Sequence, residues 1–279
     1  MAIKLIAFDL DGTLLDGKKE IPPENMEALN KAAQAGIWLV PATGRIYTGI
    51  PAPLREAPWA RYFITANGAS TYDALEDREI AQAQLDVPSC LDLIAYLDGL
   101  PVIYDCYQDN WGFISASMLD KAGDYLQDPG ILKMMYDLRT PVPNLAEYLR
   151  EKGRPVQKLQ AHFRDMELRS RELEEIPRRF PQTAVSSSLS WNIEINSVRA
   201  TKGQALAQLC RLLDIDPADT ITFGDGSNDL DMICISGHGV ALGNAVEPLK
   251  AAAAWIAPSN ENAGLAAGIR HFTAGQISW

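Results

Sequence analysis

Apolar and polar positions alternate in two different ways along this chain of 279 residues. In the first and last parts, short and nearly continuous apolar runs stand between stretches whose apolar residues recur at helical spacing. This pattern is typical of strands buried on both faces and joined by helices, and it predicts a parallel sheet with right-handed βαβ crossovers. The predicted strands of this kind are residues 3–8, 37–40, 62–66, 220–223, 239–242 and 255–257.

The connecting segments carry signals for helices. In "IPPENMEALNKAAQAG", the prolines mark a helix entry, Met26, Leu29 and Ala33 follow at helical spacing, and Gly36 marks the end. The stretches "EPLKAAAA" and "NAGLAAGI" predict helices in the last part. Together with the apolar runs, they predict an α/β fold with a Rossmann-like parallel sheet.

From about Asp86 to Asn192 the strands instead come in adjacent pairs. "PVIYDCY" is followed by "NWGFIS", and "TAVSSS" by "SWNIEI", each pair separated by polar turn residues that favour antiparallel pairing. "VQKLQAHF" is one more predicted strand, and "SCLDLIAYL" and "NLAEYLREKG" are predicted helices. We therefore expect an α/β core of residues 1–85 and 193–279, with an α+β domain, residues 86–192, inserted into it.

Composition and charge narrow the class of protein. The chain is 47% hydrophobic, which is enough for a large core, and its net charge of −11 argues against a nucleic-acid partner. No apolar run approaches the length of a membrane span, and Asp9 stops the apolar start before it could act as a signal peptide. The four cysteines lack C-x-x-C spacing, which predicts buried reduced thiols and a cytoplasmic protein.

Polar segments follow four of the predicted strands: "DLDGT", "PATGR", "NGAS" and "GDGSNDLD". Ligands of open α/β sheets bind beyond the carboxyl ends of the strands, where these segments lie. If the chain re-enters the sheet beside its first strand, Asp9 and Asp225 become neighbours. The sequence then predicts one cluster of Asp9, Asp11, Asp225 and Asp229.

So many carboxylates in one crevice repel one another and raise each other's pKa unless a cation sits among them. Oxygen donors without nearby His or Cys favour a hard ion, and Mg²⁺ typically combines one or two carboxylates with phosphate oxygens. The cluster therefore predicts a Mg²⁺ site that also receives a phosphorylated substrate.

Phosphoryl chemistry accounts for the residue types. An Asp carboxylate can attack phosphorus, and a second acid can protonate the leaving alcohol, so Asp9 and Asp11, on one side of an extended segment, suit the two tasks. Thr43 and Gly44 offer a hydroxyl and backbone N–H groups to phosphate, and Lys202 opens an amphipathic helix from which its ammonium can reach the crevice. Asp231 is interpreted as a surface or capping acid.

The segments "DLDGT", "PATGR", "TKGQAL" and "GDGSND" resemble, in order, the four motifs of the haloacid dehalogenase (HAD) superfamily of aspartate-nucleophile phosphatases. The inserted domain stands at the position of the C2 cap of that superfamily. Its paired strands resemble the type B form of this cap, which is found in Cof-type sugar-phosphate phosphatases. The resemblance implies that Asp9 is the nucleophile and that Asp11 is the general acid and base, whose backbone carbonyl also binds Mg²⁺. It implies that Thr43, Gly44 and Lys202 bind the phosphate, that Asp225 is a Mg²⁺ ligand, and that Asn228 and Asp229 support the metal site. The residues that it implies for contacts to substrate or cap are Arg45, Asn67 and Asn244.

We therefore expect a Mg²⁺-dependent phosphatase that hydrolyses a small phosphorylated metabolite, first of all a sugar phosphate, through an aspartyl-phosphate. One alternative is a phosphomutase of the same superfamily, which returns the phosphoryl group to a second hydroxyl. Another is a non-catalytic module that binds divalent cations, but it leaves Thr43 and Lys202 without a role.

Overall fold

The structure is a computed structural model that describes residues 2–279. The chain forms two compact units. The first comprises Met1–Arg45, Ile50–Gln82 and Thr201–Trp279, and the second comprises Ile46–Gly49 and Ala83–Ala200. Within residues 2–279, none of the helices combines the length and the apolar character needed to cross a bilayer.

Strands and helices are distributed along the whole described chain. The strands are β1 (Leu5–Phe8), β2 (Trp38–Pro41), β3 (Tyr62–Thr65), β4 (Ser70–Asp73), β5 (Arg78–Gln82), β6 (Val102–Gln108), β7 (Trp111–Ser115), β8 (Arg139–Val142), β9 (Lys158–Phe163), β10 (Thr183–Ser186), β11 (Asn192–Ser197), β12 (Thr220–Gly224), β13 (His238–Ala241) and β14 (Trp255–Ile256). The α-helices are α1 (Pro23–Gln34), α2 (Ala52–Arg55), α3 (Val87–Leu97), α4 (Ala116–Leu119), α5 (Ala122–Tyr125), α6 (Pro129–Leu138), α7 (Leu145–Lys152), α8 (Met166–Arg179), α9 (Lys202–Leu212), α10 (Leu230–Ile235), α11 (Glu247–Ala252) and α12 (Gly264–Thr273). Short 3₁₀ turns cover Tyr47–Gly49, Ala66–Gly68, Pro217–Asp219, Ser227–Asp229 and Asn260–Asn262.

The first unit is built on a parallel sheet with the strand order β14-β13-β12-β1-β2. β1 lies between β12 and β2, and its last residue, Phe8, pairs with Phe223 and Pro41. All four residues of β1 are fully buried, as expected of a strand covered on both faces. The predicted α/β fold with a parallel sheet is confirmed.

The third predicted strand has a different partner from the one expected. β3 joins β4 and β5 in a separate antiparallel sheet of order β3-β4-β5, and an isolated parallel bridge between Ala42 and Ile64 connects it to the segment that follows β2. The chain turns back at once because Asn67 takes the left-handed conformation, with φ of 59°. The strand predicted at residues 62–66 is therefore present, but its paired strand β4 is antiparallel and lies outside the five-stranded parallel sheet.

The second unit contains a sheet with the order β10-β11-β9-β6-β7-β8. The predicted antiparallel pairs are β6 with β7 and β10 with β11, and the strand predicted in "VQKLQAHF" is β9, between β6 and β11. One face packs on α3, α7 and α8 through an apolar core that includes Leu93, Leu149, Leu159, Ile176 and Ile193.

The expected boundary of the insertion at residue 192 is wrong. β11 runs to Ser197 and is hydrogen-bonded to β9 and β10, so residues 193–197 belong to the second unit, which continues to Ala200. At the other end this unit begins at Ala83 rather than at residue 86. The end of the second unit thus depends on which strands are hydrogen-bonded to one another and not on a change in composition along the chain.

The cysteines are free thiols. Cys90, Cys106 and Cys210 are buried, as the apolar segments around them predict. Cys234, in the short helix α10, is exposed, so for this residue the prediction of burial is wrong.

Candidate active site

Three adjacent strands deliver polar residues to one edge of the parallel sheet. Asp9 directly follows β1, Asp225 directly follows β12, and Thr43 lies two residues beyond the end of β2. Because β12, β1 and β2 are parallel neighbours, their carboxyl ends meet. The predicted proximity of Asp9 and Asp225 is thereby explained.

A buried lysine lies at the centre of the site. Lys202 is the first residue of α9, and its Nζ donates hydrogen bonds to Asp9 Oδ1 at 2.7 Å and to Asp229 Oδ1 at 2.6 Å. Lys202 and Asp229 have no solvent-exposed surface. Burial by itself would lower the pKa of the Lys202 ammonium, but the charges of Asp229 and Asp9 outweigh it and hold this pKa above its ordinary range.

Three carboxylates converge beside this ammonium. Oxygens of Asp9, Asp225 and Asp229 all lie within 4.8 Å of one another. Burial raises the pKa of Asp9 well above its ordinary value; the Lys202 ammonium opposes this shift, and the charges of Asp229 and Asp225 add to it. Burial and Asp229 likewise raise the pKa of Asp225 to about 6. Three carboxylates facing one ammonium leave an excess of two negative charges, which a divalent cation would neutralise.

The loop after β1 holds Asp225 in place. Thr13 is fully buried, and its Oγ1 donates a hydrogen bond to Asp225 Oδ1 at 2.7 Å. Gly12 has φ of 84°, and a Cβ atom there would lie 2.3 Å from Asp225 Oδ2. The two loops can approach this closely only because residue 12 is glycine.

Asp229 has little capacity left for a metal. Its Oδ1 accepts from Lys202, and its Oδ2 accepts from the backbone N–H groups of Asp225 and Gly226 at 2.9 Å each. This carboxylate therefore fixes both Lys202 and the turn that carries Asp225. A role of Asp229 in support of a metal site stays a prediction.

Asp11 is not among the three carboxylates whose oxygens lie within 4.8 Å of one another, although its charge still acts on Asp225, so the predicted cluster of four is only partly formed. Arg45 binds Asp11 through two hydrogen bonds, Nε to Oδ2 and Nη2 to Oδ1, both 2.7 Å long, and Lys19 Nζ donates to Oδ1 at 2.9 Å. β1 ends at Phe8, so the extended segment that was expected to carry both Asp9 and Asp11 ends before either residue. Burial alone would raise the pKa of Asp11, but Arg45 and Lys19 hold it well below its ordinary value.

The loop after β2 is tied to the turn after β3. Thr43 is buried, its Oγ1 accepts from the N–H of Arg45 at 3.1 Å, and its carbonyl accepts from the N–H of Asn67. Asn67 Oδ1 in turn accepts from Asn228 Nδ2 at 3.1 Å. Thr43, Asn67 and Asn228 therefore belong to one connected network of loops at this edge of the sheet, and Gly44 follows Thr43 in the same loop.

The side-chain amide of Asn244 connects two loops by hydrogen bonds. Its Nδ2 donates to the Gly12 carbonyl at 2.8 Å, and its Oδ1 accepts from the N–H of Asn260 at 3.0 Å. The amide thus joins the loop after β1 to the loop before α12. A contact of Asn244 with substrate stays a prediction.

A model of the haloacid dehalogenase-like hydrolase family matches residues 6–269 of the chain. This match includes both halves of the parallel sheet and the whole of the second unit. The chain belongs to this family.

Named relatives and a solved structure match nearly the whole chain. The phosphatase YwpJ of Bacillus subtilis is 29% identical, over 96% of this chain and 99% of its own. The 5-amino-6-(5-phospho-D-ribitylamino)uracil phosphatase YwtE of Bacillus subtilis is also 29% identical, over 99% of this chain and all of its own. A solved haloacid dehalogenase-like hydrolase from B. subtilis has a TM-score of 0.80 at 27% identity, over 96% of this chain and 99% of its own. The predicted family and the predicted enzyme class, a phosphatase of this superfamily, are confirmed.

The sequence missed two contributors to this haloacid dehalogenase-like site. Thr13 lies inside "DLDGT" but was not singled out, because only the tertiary structure shows its hydroxyl on Asp225. Lys19 stands in a polar turn that reads as solvated surface, yet its ammonium reaches Asp11. The one signal in the sequence that could have identified Thr13 is its place at the end of "DLDGT".

Proposed function

We propose that this chain is a Mg²⁺-dependent phosphatase that hydrolyses a small phosphorylated metabolite through an aspartyl-phosphate on Asp9. The observation that carries the proposal is the group of three carboxylates around the Lys202 ammonium at the carboxyl edge of the sheet. Such a group has the charge to hold a divalent cation and, next to it, a lysine and backbone N–H groups for a phosphate.

The donor set fits Mg²⁺, since it consists of carboxylate and carbonyl oxygens without His or Cys. Asp9, Asp225 and the backbone carbonyl of Asp11 would hold the ion, and Asp229 would support them. When bound, the ion supplies positive charge for the phosphate oxygens. Lys202 and Thr43, with the backbone of Gly44, would bind the same phosphate and hold its phosphorus in line with Asp9.

The chain's own residues account for both halves of the reaction. Asp9 Oδ1 accepts from Lys202, which leaves Oδ2 for attack on phosphorus. As the new O–P bond forms, the bond to the leaving alcohol breaks and Asp11, protonated after it separates from Arg45, donates its proton to that oxygen. Water then attacks the phosphorus of the aspartyl-phosphate while Asp11 takes its proton, and inorganic phosphate and the free Asp9 carboxylate result.

We propose a sugar phosphate or a related polyol phosphate as the substrate. The relative YwtE is named for a phosphoribityl compound, in which a polyol chain carries the phosphate. The net charge of −11 disfavours nucleic acid, and the four free cysteines favour the cytoplasm. We further propose that the second unit is a cap of the C2 type B form that selects the leaving alcohol.

Phosphate release from a panel of sugar, polyol and nucleoside monophosphates tests the proposal, with Mg²⁺ and with EDTA. The wild type is compared with Asp9→Asn and with Asp219→Asn, the same substitution directly before β12, at the opposite edge of the sheet. We expect metal-dependent release that disappears in Asp9→Asn and persists in Asp219→Asn. An isomerised sugar phosphate without free phosphate would favour a phosphomutase, and metal binding without any turnover would contradict the proposal.

A further inference from the structure

Two neighbouring residues at the start of α9 contact two acidic residues at the start of α10. Lys202 Nζ lies 2.6 Å from Asp229 Oδ1, and the N–H of Gly203 donates to Asp231 Oδ2 at 3.1 Å. Asp231 was expected to be a surface or capping acid. It does cap a helix terminus, but the terminus belongs to α9, whereas Asp231 itself lies in the first turn of α10.

The contact from Asp231 does not replace the cap that α9 carries in its own sequence. Thr201 is the N-cap residue of α9, and its Oγ1 accepts from the N–H of Gln204 at 3.1 Å. The first N–H groups of a helix have no partner within the helix, and Asp231 takes one that Thr201 leaves. Its effect is therefore to join the start of α9 to α10.

The spacing between the two helices depends on glycine at position 203. A Cβ atom there would lie 2.7 Å from the backbone carbonyl carbon of Asp231 and 2.8 Å from its Cγ. No side chain larger than hydrogen fits without moving one helix away from the other. The Gly203–Asp231 contact thus sets how closely α9 approaches the turn that carries Asp229.

We propose that Asp231 is a positioning residue for Lys202, and this inference rests on the proposed function, in which Lys202 binds the phosphate. Lys202 is the first residue of α9, so any shift of the helix start moves its Nζ relative to Asp9. Misplacement of about 1 Å in an active site can cost up to about 100-fold in rate. Without Asp231, α9 keeps its Thr201 cap but loses the contact that fixes its start against α10.

The test compares Asp231→Ala, Asp231→Asn and the matched control Asp165→Ala. Asp165 is the N-cap residue of α8 in the second unit and accepts from two backbone N–H groups, so its loss removes a cap of similar strength. The assay uses p-nitrophenyl phosphate with Mg²⁺, inhibition by inorganic phosphate, and thermal unfolding. We expect kcat/KM to fall about tenfold or more, with phosphate inhibition weakened, in Asp231→Ala.

The other variants distinguish a positioning role of Asp231 from an effect on the stability of the protein. Asp231→Asn keeps an oxygen acceptor and should restore activity to within about threefold of the wild type, and Asp165→Ala should lower Tm but keep kcat/KM. Gly203→Ala should reproduce the kinetic loss of Asp231→Ala. If Asp231→Ala does not fold, the kinetics of Gly203→Ala test the positioning role in its place. Wild-type kcat/KM in Asp231→Ala or in Gly203→Ala would overturn the inference, and so would equal losses in Asp231→Ala and Asp231→Asn. An inactive wild type would instead contradict the proposed function.

Discussion

Arg45 binds both carboxylate oxygens of Asp11, with Nε 2.7 Å from Oδ2 and Nη2 2.7 Å from Oδ1. This paired geometry is the strongest form of an Arg–carboxylate contact and keeps the acid ionised. An ionised carboxylate with both oxygens engaged cannot donate a proton. In the proposed reaction, Asp11 must therefore separate from Arg45 before it can protonate the leaving alcohol.

The first prediction concerns the pH dependence of turnover in Arg45→Gln. Arg45 lowers the pKa of Asp11, so its removal raises that pKa. Asp11 must be protonated to give its proton to the leaving alcohol, and this step is lost as pH rises through its pKa in the free enzyme, where Arg45 binds it. We expect the basic limb of the kcat/KM profile to move up by about one pH unit or more. The control Arg61→Gln, which removes the guanidinium paired with Asp73, should leave the limb in place, and an unmoved limb in Arg45→Gln would contradict the prediction.

The second prediction concerns the stability of the metal-free protein. Burial and Asp229 raise the pKa of Asp225 to about 6, above the ordinary value of an unfolded aspartate near about 3.9. Between these two values the folded state binds the proton more tightly, so the contribution of Asp225 to the free energy of unfolding falls as pH rises. Asp225→Asn removes this contribution and should gain stability relative to the wild type between about pH 4.5 and about pH 7.5. Urea unfolding in EDTA measures the difference, and a constant difference would count against a raised pKa.

The third prediction concerns metal affinity in Thr13→Val. This substitution keeps the size of a buried side chain and removes the hydroxyl that orients Asp225. Loss of such an orienting contact typically weakens metal binding by about 10- to 100-fold. The Mg²⁺ concentration that gives half-maximal activity after EDTA treatment should rise accordingly. Thr222→Val removes a buried hydroxyl bonded to Ser236 and should leave this concentration unchanged; a shift of equal size in both variants would refute the role of Thr13.

The fourth prediction concerns the stability of Lys202→Met with and without Mg²⁺. Lys202→Met leaves the buried carboxylates of Asp9 and Asp229 without their ammonium, so it should abolish turnover and lower the free energy of unfolding by about 3 kcal/mol. Mg²⁺ should restore part of that stability because it neutralises the same charges. Lys158→Met breaks an equally buried pair with Glu194 in the second unit, and Mg²⁺ should not restore its loss. Urea unfolding with and without Mg²⁺ checks both, and equal recovery would argue against a metal at the carboxylate group.

Local patterns along the chain predicted the sheet and its reactive edge. A strand buried on both faces is a short apolar run, and the residue that follows it stands at the carboxyl end, so Asp9 and Asp225 could be located from sequence. The hairpins of the second unit were predicted for the same reason, since alternation and turn residues are local. The partner of β3 was not, because a run of apolar residues does not specify which neighbour it pairs with.

What the sequence determined by itself is the strands of the parallel sheet, the hairpins of the second unit, the family and the residue types that follow the strand ends. What only the tertiary structure decided is which of those residues meet: Arg45 on Asp11, Thr13 on Asp225, and Asp231 on the start of α9. The physical reason is the separation along the chain over which each interaction acts. Periodicity and capping act over a few neighbouring residues, whereas Lys202 and Asp9 lie 193 positions apart and are joined only when packing of the whole core brings their strand and helix together.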